Sequence, residues 1–139
     1  MNNRPAVTIG ALVFYNNKLL LVKSPKWHGK YIVPCGHVEF KENLKDAVRR
    51  EVFEETALNV NNIKFLKIHE LIGSKEYHDP NRHFVCVNFV CEADNDNVML
   101  NKEGDSHVWV EPEKALEFDL DSVTRASVEK YLCDFAINK

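Results

Sequence analysis

The stretch Gly36 to Leu58, GHVEFKENLKDAVRREVFEETAL, puts carboxylates where a folded chain should bury hydrocarbon. Asn43 reads as an N-cap with Asp46 in the turn behind it, so the pattern predicts a helix over residues 44–56. At roughly 100° per residue, Glu54 sits about 60° to one side of Glu51 and Glu55 about 40° to the other. Leu44, Ala47 and Val48 share that arc, whereas Lys45, Asp46 and Arg49 point the opposite way. The acids therefore extend the face that a helix packs inward. Two readings compete. In the first, the run is a solvated face and Arg50 with Glu54 at i, i+4 is an ordinary helix pair worth about 0.2–0.5 kcal/mol. In the second, the acids hold a cation. A solvated face should lie opposite the apolar stripe, and this one continues it. Half-buried acids this close repel and raise each other's pKa values unless a cation neutralises them. A hard divalent ion that prefers oxygen ligands, Mg²⁺ or alternatively Mn²⁺, suits such a site.

These residues carry a family resemblance. Gly36, five residues, Glu42, seven residues, then Arg50-Glu51-Val52-x-Glu54-Glu55-x-Ala57-Leu58 resembles the Nudix box, the signature of the Nudix hydrolases. Every charged position of that signature is matched, and Ala57 stands where the family usually has Gly. The resemblance implies an α/β/α sandwich with a mixed β-sheet, the box (36–58) forming a loop–helix–loop beside the sheet. It also implies a single Nudix domain over residues 1–139 and cleavage of a phosphoanhydride bond in a nucleoside diphosphate linked to another moiety. Carried over residue by residue, Glu51, Glu54 and Glu55 are the expected metal-binding and water-activating acids, with the Gly36 carbonyl as a further metal ligand. Arg50 is expected to orient a catalytic glutamate, Glu54 being one turn away, and Glu42 to contribute structurally or from the outer sphere. The general base is expected to be a box glutamate or Glu103, which the loop 101–105 offers.

The rest of the chain agrees. One hundred and thirty-nine residues, 45% hydrophobic and 28% charged, suit one globular domain. A net charge of −3 gives no footprint for duplex nucleic acid, though local Lys, Arg and metal can hold a small anionic nucleotide. No apolar run approaches about 18 residues and the N-terminal MNNRPAVTIG shows no signal-peptide pattern, so a cytoplasmic enzyme without membrane attachment is expected. A homodimer is the assembly left open. Cys35, Cys86, Cys91 and Cys133 lack CxxC spacing and are expected to be reduced, mostly buried thiols, with Cys86 and Cys91 on opposite faces of one strand.

Residues 6–15 and 18–23 read as a hairpin around Asn16-Asn17, residues 24–30 as a loop, and 31–33 as a strand ended by Pro34. Strands are expected at 63–72, 83–92 and 106–110, with helices at 112–118 and 122–137, the last capped by Asp121. This interleaving reads as an α/β domain with a mixed sheet. Two positions beside the box carry conditions. Ala57 is expected to cost about 1 kcal/mol if the helix ends in a left-handed residue. Cys35, where family members often have Gly, is strained if its φ is positive.

Substrate identity is weakly marked. Trp27, Tyr31, Tyr77, Phe84, His107 and Trp109 are candidates to hold a base or sugar, and Lys23, Lys30 and Arg82 to meet phosphates. The proline of many ADP-ribose hydrolases is replaced by Gly73-Ser74-Lys75, and no coenzyme A motif is visible. Tyr77 lies near the place of a tyrosine in dinucleoside-polyphosphate hydrolases. The compact layout is most similar to MutT-like members, which cleave nucleoside triphosphates to a monophosphate and pyrophosphate. Hydrolysis of ADP-ribose, a nucleotide sugar or a dinucleoside polyphosphate is the alternative. A nucleotide-binding regulatory module is the non-enzymatic alternative, disfavoured because such modules typically lose box glutamates and here every acid is present.

Overall fold

The computed structural model describes residues 3–135. Its strands are β1 (Ala6–Tyr15), β2 (Lys18–Ser24), β3 (Lys30–Ile32), β4 (Cys35–His37), β5 (Val60–Ile72), β6 (His83–Ala93) and β7 (Ser106–Val110). Its helices are α1 (Leu44–Thr56), the short α2 (Pro112–Ala115) and α3 (Ser122–Asp134). The expected end of the last helix at 137 falls partly outside the described residues. Among them, no helix is long and apolar enough to cross a membrane.

All seven strands form one mixed sheet in the order β3-β2-β1-β6-β5, with β4 added to β1 and β7 to β2. β1 runs parallel to β6 and the other pairings are antiparallel. β1 is central, and its apolar run divides by alternation between two faces. Ile9, Ala11 and Val13 pack towards Ala47, Val48 and Val52 of α1. Leu12 and Phe14 pack towards Ala115 and Val128 of the α2–α3 side. Helices thus cover both faces, the α/β/α arrangement expected. Cys86 and Cys91 fall in clusters on opposite faces, as their odd spacing requires, and all four thiols are free, Cys133 being exposed.

Local chemistry explains the joins. Asn16 and Asn17 adopt φ of 50° and 63°, the paired left-handed residues of the tight turn that matches strand twist. β5 begins at Val60, earlier than the alternation suggests, because Asn62 takes φ 56° and the register with β6 shifts between Asn61 and Lys64. After Pro34 the chain pairs again: the Ala11 N–H donates to the Pro34 carbonyl at 3.0 Å, and β4 lies antiparallel to Thr8–Gly10. β1 is therefore flanked by β2 along its end and by β4 along its start, and the fork opens a cleft.

Cys35 lies in this extended strand and is not among the residues of positive φ, so it carries no backbone strain. Ala57 caps α1 with φ 64°, its N–H donating to the Phe53 carbonyl at 2.8 Å. A Cβ is disfavoured there, and Gly removes that penalty at some cost in unfolded-chain entropy. Ala57→Gly should stabilise the protein by about 0.5–1 kcal/mol and raise its thermal midpoint by about 2–4 °C. Thermal melting checks this, and an unchanged or lower midpoint would show the helix end to be unstrained.

Candidate active site

The residues buried on α1 are Ala47, Val48, Val52, Glu55 and Thr56, so the inward face centres on the Val48–Val52–Glu55 side of the helix. Glu55 is consequently 9% exposed. Glu51 stands beside it with its side chain 12% exposed, while Glu54 is turned roughly 125° from the centre of that face, at 52%. The three acids share one side of the helix at three depths.

Arg50 ties Glu51 to the loop before the helix. It donates to both carboxylate oxygens of Glu42 at 2.8 and 2.9 Å, to Glu51 at 2.8 Å and to the His37 carbonyl at 2.9 Å. Its contact with Glu54 is longer, 3.4 Å, so Glu42 and Glu51 are its principal partners rather than Glu54. The Arg50 hydrogen bonds, seconded by the Glu39 N–H, hold the Glu42 carboxyl down at about 2. Gly36 lies against the Glu51 carboxylate so closely that a Cβ would collide with it. That close approach is one physical reason for glycine at this position.

Glu55 lines a cleft of about 120 Å³ in the fork of the sheet. Its Oε1 accepts from the Cys35 N–H at 3.3 Å. Its Oε2 is buried without a hydrogen-bond partner, one of two such side-chain atoms among the described residues, the other being Trp109 Nε1. Burial first, then the Glu51 carboxylate and the charge of Glu103, push the Glu55 carboxyl far above the usual range. An orphaned buried oxygen beside a second carboxylate suits a cation, which would satisfy the lone pairs and let both acids ionise. The donor set, carboxylates and a backbone carbonyl, suits a hard divalent ion. The cage is not closed: among the described residues no three His, Cys, Asp or Glu side chains are gathered for one ion. One Glu51 oxygen is taken by Arg50, and Glu54 is half exposed.

Glu103, whose loop is tied to the end of α1 by the Asn101 N–H donating to the Glu55 carbonyl at 3.3 Å, pairs with Lys26 at 3.4 Å, and both line the cleft. Of the aromatic candidates, Trp27, Tyr77 and Phe84 line it too, with ring centroids 4.9 Å apart for Trp27–Tyr77 and 5.2 Å for Tyr77–Phe84. Tyr31, His107 and Trp109 do not. Tyr31 meets Phe118 on the α3 side, Trp109 meets Tyr15, and His107 sits in the β2–β7 ladder. Arg82 lies over the Phe84 ring at 4.8 Å and bonds the His37 ring at 3.1 Å, with burial and then the Arg82 charge lowering the His37 pKa. Lys30 is paired with Asp119 at 3.0 Å, and Lys23 is not a lining residue. Sequence reasoning missed Lys26, His37 and the buried pair Asn88 and Asp121 on the cleft floor. Asp121 was legible as the α3 cap, accepting from Val123 and Thr124, but no local pattern marks it as facing a cleft.

Comparison with known proteins decides the family. The NUDIX domain model matches residues 4–131. The chain belongs to the Nudix family. It is 30% identical over 105 residues to the nucleoside triphosphatase NudI of Escherichia coli, covering 72% of this chain and 74% of that protein. Its fold is similar to a MutT NUDIX hydrolase from Burkholderia pseudomallei, with a TM-score of 0.77, 21% identity and coverage of 92% and 98% of the two chains. It is also similar to the MutT protein of Methanosarcina mazei Go1, with a TM-score of 0.74, 25% identity and full coverage of both. The chain is a Nudix hydrolase acting on acid anhydrides of phosphorus-containing compounds, in a family that generally uses divalent metal ions.

The state of Glu55 gives a stability test. A carboxyl raised in the folded state binds its proton more tightly there than unfolded. Its contribution is therefore full below the ordinary value of 4.5 and is lost as pH climbs towards the raised one. Without metal, the wild-type melting temperature should fall between about pH 5 and about pH 8 relative to that of Glu55→Gln. Parallel curves for the two proteins would show that Glu55 carries no such burden.

Proposed function

We propose that this Nudix hydrolase is an Mg²⁺-dependent pyrophosphohydrolase of nucleoside triphosphates, releasing a nucleoside monophosphate and pyrophosphate. The observation that carries this is the buried, unsatisfied Glu55 oxygen beside Glu51 and Gly36 at the mouth of an aromatic-walled cleft. Glu51, Glu54, Glu55 and the Gly36 carbonyl would hold the ion, Mg²⁺ or alternatively Mn²⁺. When bound, such an ion neutralises the phosphate oxygens and lowers the pKa of water. The remaining work belongs to this chain. Arg50 keeps the Glu51 carboxylate oriented towards Gly36 rather than solvent. Glu55, or Glu103 on the neighbouring loop, would accept the proton of the attacking water, and a bound cation would favour the ionised form of Glu55. The cleft wall of Trp27, Tyr77 and Phe84 takes the flat face of a base and excludes bulk water from the reacting centre. The kinship with a nucleoside triphosphatase supports the triphosphate over ADP-ribose, nucleotide sugars and dinucleoside polyphosphates.

The test is Mg²⁺-dependent product release from a panel of nucleoside triphosphates, ADP-ribose, nucleotide sugars and dinucleoside polyphosphates. Turnover should be greatest on a nucleoside triphosphate, and Glu55→Gln should lower kcat at least about a hundredfold with the fold intact. Tight binding of one compound without turnover of any would replace this reading with a regulatory module.

A further inference from the structure

We propose that Lys26 is the side chain that receives the substrate's phosphate chain, and that it does so by releasing Glu103, with which it bars the cleft. This rests on the hydrolase reading above and adds to it a positioning residue outside the Nudix box. The pair joins elements 77 residues apart in sequence, at 3.4 Å, and both partners line the cleft.

The backbone on each side is fixed, so the exchange needs only side-chain ends to move. Lys26 lies in the 3₁₀ turn Pro25–Trp27, anchored by the buried Trp27 ring against Tyr77 and by the His78 N–H donating to the Lys26 carbonyl at 2.8 Å. On the other wall, the Glu103 N–H donates to the Asn101 side chain at 2.9 Å and the Asp105 N–H to the Lys23 carbonyl at 2.9 Å. Gly104 lies so close to Val22 that a Cβ would collide with it, which seats the loop on β2. The pair itself is half exposed, with side chains at 50% and 44%, and such pairs contribute little and exchange readily.

Charge selects the exchange partner. Among the described residues lining the cleft, Lys26 is the one lysine or arginine, against the carboxylates of Glu55, Glu103 and Asp121. Arg50 is committed to Glu42 and Glu51, and Arg82 to the His37 ring and Phe84. While paired, Lys26 leaves the cleft acidic and unwelcoming to a polyphosphate. A phosphate chain offers several anionic oxygens where Glu103 offers one carboxylate, so it displaces the weaker partner. Glu103 is then unpaired on the wall that its loop shares with the end of α1, near Glu55, which already feels its charge. Substrate entry thereby arms the acid on that wall, and an empty cleft keeps it neutralised.

Steady-state kinetics on the best nucleoside triphosphate, with Mg²⁺ in excess, test this in wild type and four variants whose melting temperatures are compared first. Lys26→Met should raise KM about tenfold and Lys26→Arg should restore it to within about threefold of wild type. Glu103→Gln should lower kcat yet also lower KM by about threefold, because Lys26 is then free before substrate arrives. The double variant should show the raised KM of Lys26→Met without the gain. A Lys26→Met KM within twofold of wild type, or a rise in KM for Glu103→Gln, would overturn the exchange. Absence of wild-type turnover on the whole panel would instead refute the hydrolysis of nucleotides on which it rests.

Discussion

The Arg50 guanidinium is the constraint on which the site depends. Residues 38–43, between β4 and α1, contain no strand or helix, so nothing in the backbone ladder fixes β4 against α1. Arg50 does so by side chain. It reaches Glu42 in the loop, the His37 carbonyl at the end of β4, and Glu51 on its own helix. The ion pairs are two-thirds or more shielded on both sides, with Arg50 at 23%, Glu42 at 15% and Glu51 at 12% exposure. Pairs of that depth matter chiefly when broken, because each lost partner leaves an uncompensated charge. Through this hub Gly36 is held against the Glu51 carboxylate and Cys35 is brought to donate to Glu55.

One helix thereby carries opposite tendencies within two turns. Its first turns bury Ala47 and Val48 against β1, and its last continues the same face with an acid. Burial of Glu55 is costly for a metal-free protein and would be offset in one that holds a cation there, as proposed. The Lys26–Glu103 pair follows the same logic in milder form. Glu103 and Lys26 neutralise each other across the mouth, and the aromatic group behind Lys26 supplies the apolar body of the cleft.

Much of this was legible in the chain. The α1 span, its Asn43 cap and its Ala57 end follow from local rules, and so do the Asn16-Asn17 turn and the burial of the β1 run. What was lost depended on tertiary geometry. The wheel places Glu54 with Glu51 and Glu55, but the sheet meets the helix off-centre and leaves Glu54 at the rim. Spacing at i, i+4 named Glu54 as the Arg50 partner, whereas the folded loop brings Glu42 closer from eight residues away. Lys26 lies between Lys23 and Lys30, which the sequence named in its place. Only the meeting with Glu103, across most of the chain, sets it apart. β4 is three residues long behind a proline, too short for alternation to show.

The link from Arg50 to a buried, cation-seeking Glu55 is tested most directly by counting protons. Burial and the Glu51 carboxylate raise the Glu55 carboxyl, so a cation filling the proposed site should expel a proton from it. Calorimetric titration of the metal-free protein with Mg²⁺ or Mn²⁺ at neutral pH, in buffers of different ionisation enthalpy, reads that number. About one proton should leave per ion bound by wild type, and that release should vanish in Glu55→Gln. Binding of the ion with no proton released by wild type would contradict the assignment of Glu55 as the acid that the cation is there to ionise.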